Sequence, residues 1–519
     1  MTSVLEAPEF VDEVVSPRAE RRTQRFPVGM VVVAVGVSIL LRARFLVTPL
    51  TSDEGGYMAV ARAWASGKHL YTEAWVDRPQ GLLVLYRVWD AVTGGSPTAI
   101  RAMAIVFGAL GVVALSYVAF VIAGRRAAAA TGVLFAVASS NPRIEGFIAN
   151  GELLAGTLGA IGVAASCAYL FRGRAIAWLY AGGVLAGCAV SLKQSGFDGF
   201  AALLLCIVAG GLTRERTWRQ VGREAAIYVG GLASVLSLLV VHGLMVGIGS
   251  WWYAVAGYRL AGPNASGADW HKFGVTARLA RPALLPLLVL AAVGFVAWLV
   301  RDRHIRRATL LIPAWIVFAA LAVLAGGLFH RHYWVTLTFP LALAGGVAIG
   351  KFKAWLAIPI VCLAVIPSLV GTAHIIALDR DDVVLKAHDD PRLRVDEAVA
   401  RWYDDNRTSD STLYVLCASA AVYTEANVIP PYPYLWQDGV QHGRGAQQQL
   451  EAFFAGANPP TVVAQYQRPL TCNPSGVVNS LLRQRYTQVD NVRGAVIWTL
   501  RQPVPEVAAF GSNVPMRRA

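Results

Sequence analysis

Two adjacent acidic residues, Asp53 and Glu54, follow the first long apolar stretch of the chain. A carboxylate in this position could act as a general base, and it could also bind a hard divalent cation through its oxygens. Two neighbouring negative charges at the end of an apolar segment are costly unless they face water or a partner. A solvated acidic loop without a chemical role is the alternative, and the pair alone does not decide between the two.

Cationic and imidazole side chains that could bind a phosphate occur in three other loops. Arg78 lies in the sequence Asp-Arg-Pro-Gln-Gly, and Lys193 lies between two apolar stretches. The third group is the segment His330, Arg331, His332, Tyr333 and Trp334. The alternatives are basic side chains that extend to the membrane interface and histidines with structural hydrogen bonds. A zinc site is disfavoured, because no third ligand accompanies the two histidines.

The elements that must position these residues are membrane helices. The chain has 519 residues, of which 55% are hydrophobic and 15% charged, with a mean hydropathy of +0.49. Apolar blocks of this length cross a bilayer as helices, because lipid offers no partners to backbone groups. We predict eleven spans, with a range of ten to thirteen: 28–47, 98–122, 127–142, 152–171, 175–192, 197–212, 225–247, 282–300, 308–328, 334–350 and 355–376.

Charge patterning predicts which ends of the spans share a side. The net charge of +14 is distributed over short basic loops, which is typical of cytoplasmic loops and not of a nucleic-acid surface. With a cytoplasmic N-terminus, Asp53, Glu54 and Glu145 fall on the outer side. The Ala-, Gly-, Val- and Arg-rich composition hints at a bacterial source, so we expect a multi-pass protein of a bacterial cytoplasmic membrane.

The composition divides the chain into four parts. We predict a disordered cytoplasmic tail at 1–26, a transmembrane domain at 27–377, an extracytoplasmic α/β domain at 378–502 and a flexible tail at 503–519. In the α/β domain, helices are predicted at 394–406, 447–454 and 477–483, and strands at 412–417, 461–465 and 495–500. Cys417 and Cys472 could form a disulfide if this domain lies outside the cytoplasm.

The first outer loop has about 50 residues. Apolar residues at helical spacing in this loop predict two amphipathic helices on the membrane surface, at 56–66 and 82–92. An acidic pair followed by Gly and Tyr, two surface helices and an Arg-Pro-Gln-Gly turn resemble the GT-C membrane glycosyltransferases. The resemblance is closest to the protein O-mannosyltransferase and lipid A aminoarabinose transferase group with its bacterial relatives, and covers roughly 28 to 376.

The resemblance implies transfer of a sugar from a polyprenyl-phosphate donor to a glycan, lipid or protein acceptor at the outer face. Asp53 matches the catalytic base of that family, and Glu54 would bind acceptor or a divalent metal ion, whose use varies among its members. Glu152 resembles an acidic position at the start of the fourth span, where it would orient Lys193 or bind acceptor. A helix N-terminus also favours an acid for electrostatic reasons. Donor-phosphate contacts are implied for Arg78, Lys193, His330, Arg331, His332 and Tyr333.

Aromatic residues could stack on a sugar or on the acceptor, but they also form the interfacial belt of membrane proteins. Tyr57, Trp252 and Trp270 are the candidates for stacking. A transporter or flippase of a lipid-linked or sugar substrate is the main rival hypothesis, and a non-catalytic assembly protein is a third. A transporter would favour inverted repeats and charged residues in mid-span, and the sequence shows neither.

Overall fold

The computed structural model describes residues 25–261, 267–301, 306–325, 327–388, 390–417 and 419–501. Apart from Arg25 and Phe26, the tails predicted at 1–26 and 503–519 lie outside the described residues, as does residue 502. The helices of the first part of the chain are α1 (Val28–Ala43), α2 (Ser52–Ala65), α3 (Gln80–Thr93), α4 (Pro97–Ala123), α5 (Arg125–Ala138), α6 (Gly151–Arg172), α7 (Ala177–Leu192), α8 (Asp198–Leu212), α9 (Trp218–Val246), α10 (Ile248–Trp252), α11 (Tyr258–Ala261), α12 (Trp270–Arg301), α13 (Arg307–Ala325), α14 (Val335–Ile349) and α15 (Ala354–Ile376).

Each of the eleven predicted spans coincides with one of these helices. Eight helical segments of the described chain are long and apolar enough to cross a membrane, and α7 and α8 are shorter apolar helices. Many large apolar side chains on α1, α9, α12 and α15 are exposed, as expected of surfaces that face lipid. The chain is a multi-pass membrane protein by these features, whereas the number of spans stays a prediction.

Helix packing in the bundle uses small residues where backbones approach closely. A Cβ atom at Gly182 of α7 would lie 2.7 Å from the carbonyl oxygen of Gly162 in α6. Small residues permit this kind of contact between membrane helices, where van der Waals packing drives association. The pair α6 and α7 carries Glu152 at the start of α6 and Lys193 directly after α7, so its packing fixes both side chains.

The helix α2 differs from the amphipathic surface helix predicted at 56–66. It begins at Ser52, where Thr51 and Glu54 form a capping box, and its residues from Glu54 to Ala61 are all buried. A Cβ atom at Gly55 would lie 2.5 Å from the Cα of Ala421, in the C-terminal part of the chain. The C-terminal part covers α2, so the helix lacks the open polar face of the predicted amphipathic helix, because apolar periodicity does not reveal what lies above a helix. Its position at the membrane surface stays a prediction.

The C-terminal segment, residues 380–501, packs helices against a four-stranded sheet. Its helices are α16 (Arg380–His388), α17 (Arg392–Asn406), α18 (Ala421–Glu425), α19 (Gln437–His442), α20 (Ala446–Ala455) and α21 (Val477–Arg485), and its strands are β1 (Leu413–Leu416), β2 (Val462–Gln465), β3 (Tyr486–Val492) and β4 (Ala495–Leu500). The strand order is β1-β2-β4-β3, with β1 and β2 parallel and the other pairs antiparallel.

The predicted strands and helices of this segment recur with boundaries shifted by at most two residues, but β3 was missed. Tyr486 is buried in β3 whereas the next five residues are exposed, so this strand lacks the apolar run by which the others were recognised. A disulfide joins Cys417 and Cys472, whose Cα atoms are 5.8 Å apart. The α/β pattern is present, and the interpretation of the segment as an independent domain stays a prediction.

Candidate active site

A cavity of about 280 Å³ lies between the membrane part of the chain and the C-terminal segment. Its floor comes from α2, the loop before α3, α11 and the turn before α14, and its roof comes from the start of α17, Ser419 and α19. The lining residues are Ser52, Asp53, Tyr57, Trp75, Asp77, Arg78, Tyr258, Arg259, Leu328, His330, His332, Tyr333, Arg392, Ser419, Trp436, Gln437, Asp438 and Gly439.

Asp53 and Glu54 are neighbours in sequence but face different surroundings. Asp53 lines the cavity, and no described residue donates a hydrogen bond to its carboxylate or forms an ion pair with it. It lies in the first turn of α2, where the unpaired backbone N–H groups favour a negative charge. A partly exposed, unpartnered carboxylate in a cavity is available to accept a proton from a bound hydroxyl.

Glu54 is fully buried, and its two oxygens are occupied by internal partners. Oε2 lies 3.0 Å from Nη2 of Arg101 and accepts from the backbone N–H of Thr51, and Oε1 accepts from the backbone N–H of Ala149 at 2.8 Å. These contacts tie the start of α2 to α4 and to the loop before α6. The geometry therefore favours a positioning role for Glu54 over the acceptor or metal contact expected from sequence.

Two arginines and one aspartate form a charged cluster in the cavity. Asp77 lies 2.9 Å from Nη1 of Arg78, and its other oxygen pairs with Arg259. Burial alone would raise the pKa of Asp77, but the positive charges of Arg259 and Arg78 hold that pKa below its usual value. Burial alone would lower the pKa of Arg78, and the charge of Asp77 instead raises it well above its usual value. The cluster therefore keeps two cations and one anion.

Lys193 lies beside the cavity in a closed network and does not line it. Its ammonium group pairs with Glu152 and lies 4.4 Å from the centroid of the Tyr333 ring. The imidazole of His332 bridges two acids, with Nδ1 2.8 Å from Glu145 and Nε2 3.9 Å from Glu152. The predicted pairing of Glu152 with Lys193 is present. Lys193 is absent from the cavity lining, so its contact with a donor phosphate stays a prediction.

His330 and Arg331, in the turn before α14, have different environments. His330 lines the cavity and stacks on His332 at 5.4 Å between ring centroids. Burial, followed by the charges of His332 and Lys272, lowers the pKa of His330 well below its usual value, so this ring is neutral at physiological pH. Arg331 donates to the carbonyl of Ala387 in α16 at 3.3 Å. It lies outside the cavity lining, so the geometry does not favour it as a phosphate contact.

The aromatic residues in the cavity are only partly those selected from sequence. Tyr57 lines the cavity and packs against Trp436 at 5.8 Å between centroids. Trp252 and Trp270 are 57% and 63% exposed and lie outside the cavity lining. Trp75, Tyr258 and Trp436 occupy the walls instead. These rings offer stacking surfaces for a sugar, because aromatic faces pack well against its C–H groups.

Sequence analysis missed four charged residues of the lining: Asp77, Arg259, Arg392 and Asp438. Asp77 lies in the Asp-Arg-Pro-Gln-Gly motif, from which only Arg78 was selected. Arg259 had a usable signal, because a basic residue on the predicted outer side is uncommon. Arg392 and Asp438 had none, because their position over the cavity depends on how the C-terminal segment docks. Asp438 resembles Asp53 in that no described residue pairs with its carboxylate.

The described residues do not suit a divalent cation. Among them, no three His, Cys, Asp or Glu side chains converge as a metal site would require. The oxygens of Glu54 are already occupied, and Asp77 is neutralised by two arginines. We therefore assign no chemical step to a metal ion.

Comparison with solved structures shows where this architecture is found. No protein-family model and no curated protein matches the chain. ArnT from Cupriavidus metallidurans bound to undecaprenyl phosphate aligns with a TM-score of 0.64 at 15% identity, over 91% of this chain and 98% of that one. AglB of Archaeoglobus fulgidus, solved with an inhibitory peptide and a dolichol-phosphate, gives 0.55 at 11% identity over 92% and 75% of the two chains.

A zinc- and sulfate-bound oligosaccharyltransferase from Archaeoglobus fulgidus aligns with a TM-score of 0.55 at 12% identity, over 84% of this chain and 67% of that one. At such identities the likeness concerns the fold. The resemblance seen in the outer-loop motifs is confirmed at that level, and the chain has the fold of the GT-C membrane glycosyltransferases.

Proposed function

We propose that the protein is a glycosyltransferase that moves a sugar from a polyprenyl-phosphate donor to an acceptor at the outer face of the membrane. The observation that carries this proposal is the pairing, in one cavity, of an unpartnered carboxylate with an arginine pair. Asp53 supplies the carboxylate, and Arg78 and Arg259 supply the cations. ArnT and AglB have been solved with lipid phosphates, which supports a donor of this class for the shared fold.

The charge balance of the cavity suits a phosphodiester that becomes a phosphomonoester. A sugar linked through one phosphate to a lipid carries a single negative charge, which grows as the sugar leaves. Arg78, Arg259 and Asp77 together carry one net positive charge. Fixed cations aimed at developing charge stabilise the transition state more than the ground state. Asp77 holds both guanidinium groups in place before the donor arrives.

In the proposed reaction, an acceptor hydroxyl attacks the anomeric carbon while Asp53 takes its proton. A bond forms between the acceptor oxygen and the anomeric carbon, and the bond from that carbon to the phosphate oxygen breaks. The electron pair goes to the lipid phosphate, which Arg78 and Arg259 hold. A positioned carboxylate base contributes about 10²- to 10⁴-fold to such a step. Glu54 and its partner Arg101 keep Asp53 at the cavity.

In this proposal, the residues at the roof of the cavity bind the acceptor. Arg392, Trp436 and Asp438 face the floor from the C-terminal segment and offer one cation, one stacking surface and one anion. A mixed polar and aromatic lining suits a hydroxylated acceptor, whether glycan, lipid or protein. The sugar is a hexose or a pentose, and mannose and arabinose are the first candidates to assay.

Transfer by purified protein tests this proposal. The protein in detergent is incubated with polyprenyl-phosphate donors that carry labelled mannose, arabinose or aminoarabinose, together with a cell-envelope extract as acceptor. We expect label to pass to the acceptor with release of polyprenyl phosphate from one of the donors. Movement of an intact labelled lipid across proteoliposomes, without release of polyprenyl phosphate from any donor, would instead show a flippase and contradict the proposal.

A further inference from the structure

A second groove opens at the end of the helix bundle opposite to the cavity. It encloses about 710 Å³ between the final turns of α12 and α14 and the first turns of α13, beside the end of α4. Most of its lining is apolar, from Leu288, Ala291, Phe295, Ile316, Val317 and Leu341, among others. Phe295 and Val317 are each about half exposed, so the groove is open to the surrounding lipid.

The depth of the groove matches one leaflet of a bilayer. On α12 the lining runs from Leu288 to Trp298, and on α14 from Leu341 to Lys351 beyond the helix end. Ten residues of helix rise about 15 Å. The hydrocarbon core of a bilayer is about 30 Å thick. The groove therefore extends from the helix ends to about the bilayer centre, on the side away from Asp53.

The mouth of the groove carries polar groups that suit an anionic headgroup. Arg306 and Lys351 line it, and both are exposed at the helix ends. Two cations at the mouth of an apolar groove suit the phosphate of an anionic lipid, whose acyl chains would enter the groove.

We propose that this groove binds an anionic phospholipid of the leaflet opposite to the catalytic cavity. Its acyl chains fill the apolar slot, and its phosphate lies between Arg306 and Lys351. Basic pockets between membrane helices select acidic headgroups in this way. The sugar donor is a different occupant, because its phosphate is proposed at Arg78 and Arg259 at the other end of the bundle.

Native mass spectrometry of the full-length protein tests the proposal. The protein in mild detergent receives equal amounts of phosphatidylglycerol and phosphatidylcholine of the same chain length. Arg306→Ala/Lys351→Ala removes the two charges, and Ala292→Trp fills the slot from an exposed lining position. Arg125→Ala/Lys353→Ala is the matched control, because it removes two nearby exposed charges, at the start of α5 and directly before α15, that do not line the groove.

We expect the wild-type protein to retain phosphatidylglycerol about tenfold over phosphatidylcholine, given the strength of attraction per basic residue. The charge variant loses that preference, Ala292→Trp lowers retention of both lipids, and the control changes either by less than about twofold. Equal retention of the two lipids by the wild type would overturn the proposal. An equal loss in the control variant would overturn it too, because it would show a diffuse charge effect. Displacement by polyprenyl phosphate that depends on the same two charges would assign the groove to the donor.

Discussion

The cavity cluster and the network beside it contain the same kinds of residue but differ in how their charges are used. In the cavity, Asp53, Arg78 and Arg259 line open space; Asp53 has no partner among the described residues, and the two arginines pair with Asp77. In the buried pairs Glu54–Arg101 and Glu152–Lys193, neither partner lines the cavity, and each carboxylate binds a protein cation. Position in the cavity lining, and not residue type, separates the groups that can meet a substrate from those that hold the site in place.

Removal of both cavity arginines is expected to lower the transfer rate more than any change in the buried pairs. In Arg78→Ala/Arg259→Ala, the lipid phosphate loses the charges that stabilise its departure, and we expect transfer to fall about 10³-fold. Initial rates with labelled donor measure this loss, and circular dichroism checks the fold. A variant that retains a tenth of wild-type activity would place the phosphate elsewhere.

Breaking the buried Glu54–Arg101 pair is expected to have the second-largest effect, a loss in the free energy of unfolding. Glu54→Leu leaves the buried guanidinium of Arg101 without its carboxylate, which costs about 3 kcal/mol or more. Thermal unfolding in detergent measures the change, and Asp53→Asn is the control that should unfold as the wild type does. A matched Glu54→Leu/Arg101→Met variant should recover much of the loss. If Glu54→Leu unfolds like the wild type, the positioning role is wrong.

Lys193 tests whether the network really lies outside the phosphate site. Lys193→Met leaves Glu152 without its cation and shifts the side chains at the edge of the cavity. We therefore expect the transfer rate to fall about tenfold, while the affinity for donor changes by less than about threefold. Binding of a fluorescent polyprenyl phosphate and single-turnover transfer separate the two. A loss of binding as large as that in Arg259→Ala would make Lys193 a phosphate contact, as the family resemblance implied.

Arg331→Ala is expected to change least. Its guanidinium bonds the Ala387 carbonyl and lies outside the cavity lining, so transfer should remain within about threefold of wild type. The same assay gives the result. A loss above tenfold would show that Arg331 reaches the donor and that the division between the two regions is drawn in the wrong place.

Much of the fold could be predicted because membrane helices carry strong local signals. All eleven predicted spans coincide with helices, since long apolar blocks between basic loops leave few other structures open. The burial of α2 could not be predicted, because it depends on contacts of Gly55 and Gly56 with residues more than 350 positions later in the chain. Apolar periodicity and composition predict that a helix forms, but they do not predict which part of the chain packs over it.

The candidate site shows the same division. Asp53 and Arg78 stand in short motifs that the sequence displays, and both line the cavity. Glu54 and Arg331 are also an acidic and a basic residue in such motifs, but their side chains contact protein groups. Glu54 pairs with Arg101, and Arg331 donates to the carbonyl of Ala387, and neither contact can be read from the sequence. Arg259 was missed although a basic residue on the predicted outer side is uncommon, because nothing in its local sequence links it to Asp77.

The role of Asp53 is the central claim, and one paired measurement tests it most directly. Donor binding and single-turnover transfer are compared in Asp53→Asn and in Asp438→Asn, which removes the other unpartnered carboxylate of the cavity. We predict that Asp53→Asn binds donor within about threefold of wild type but transfers about 10³-fold more slowly, while Asp438→Asn loses less than about tenfold. Full transfer by a folded Asp53→Asn variant, or a greater loss in Asp438→Asn, would contradict the assignment of Asp53 as the base.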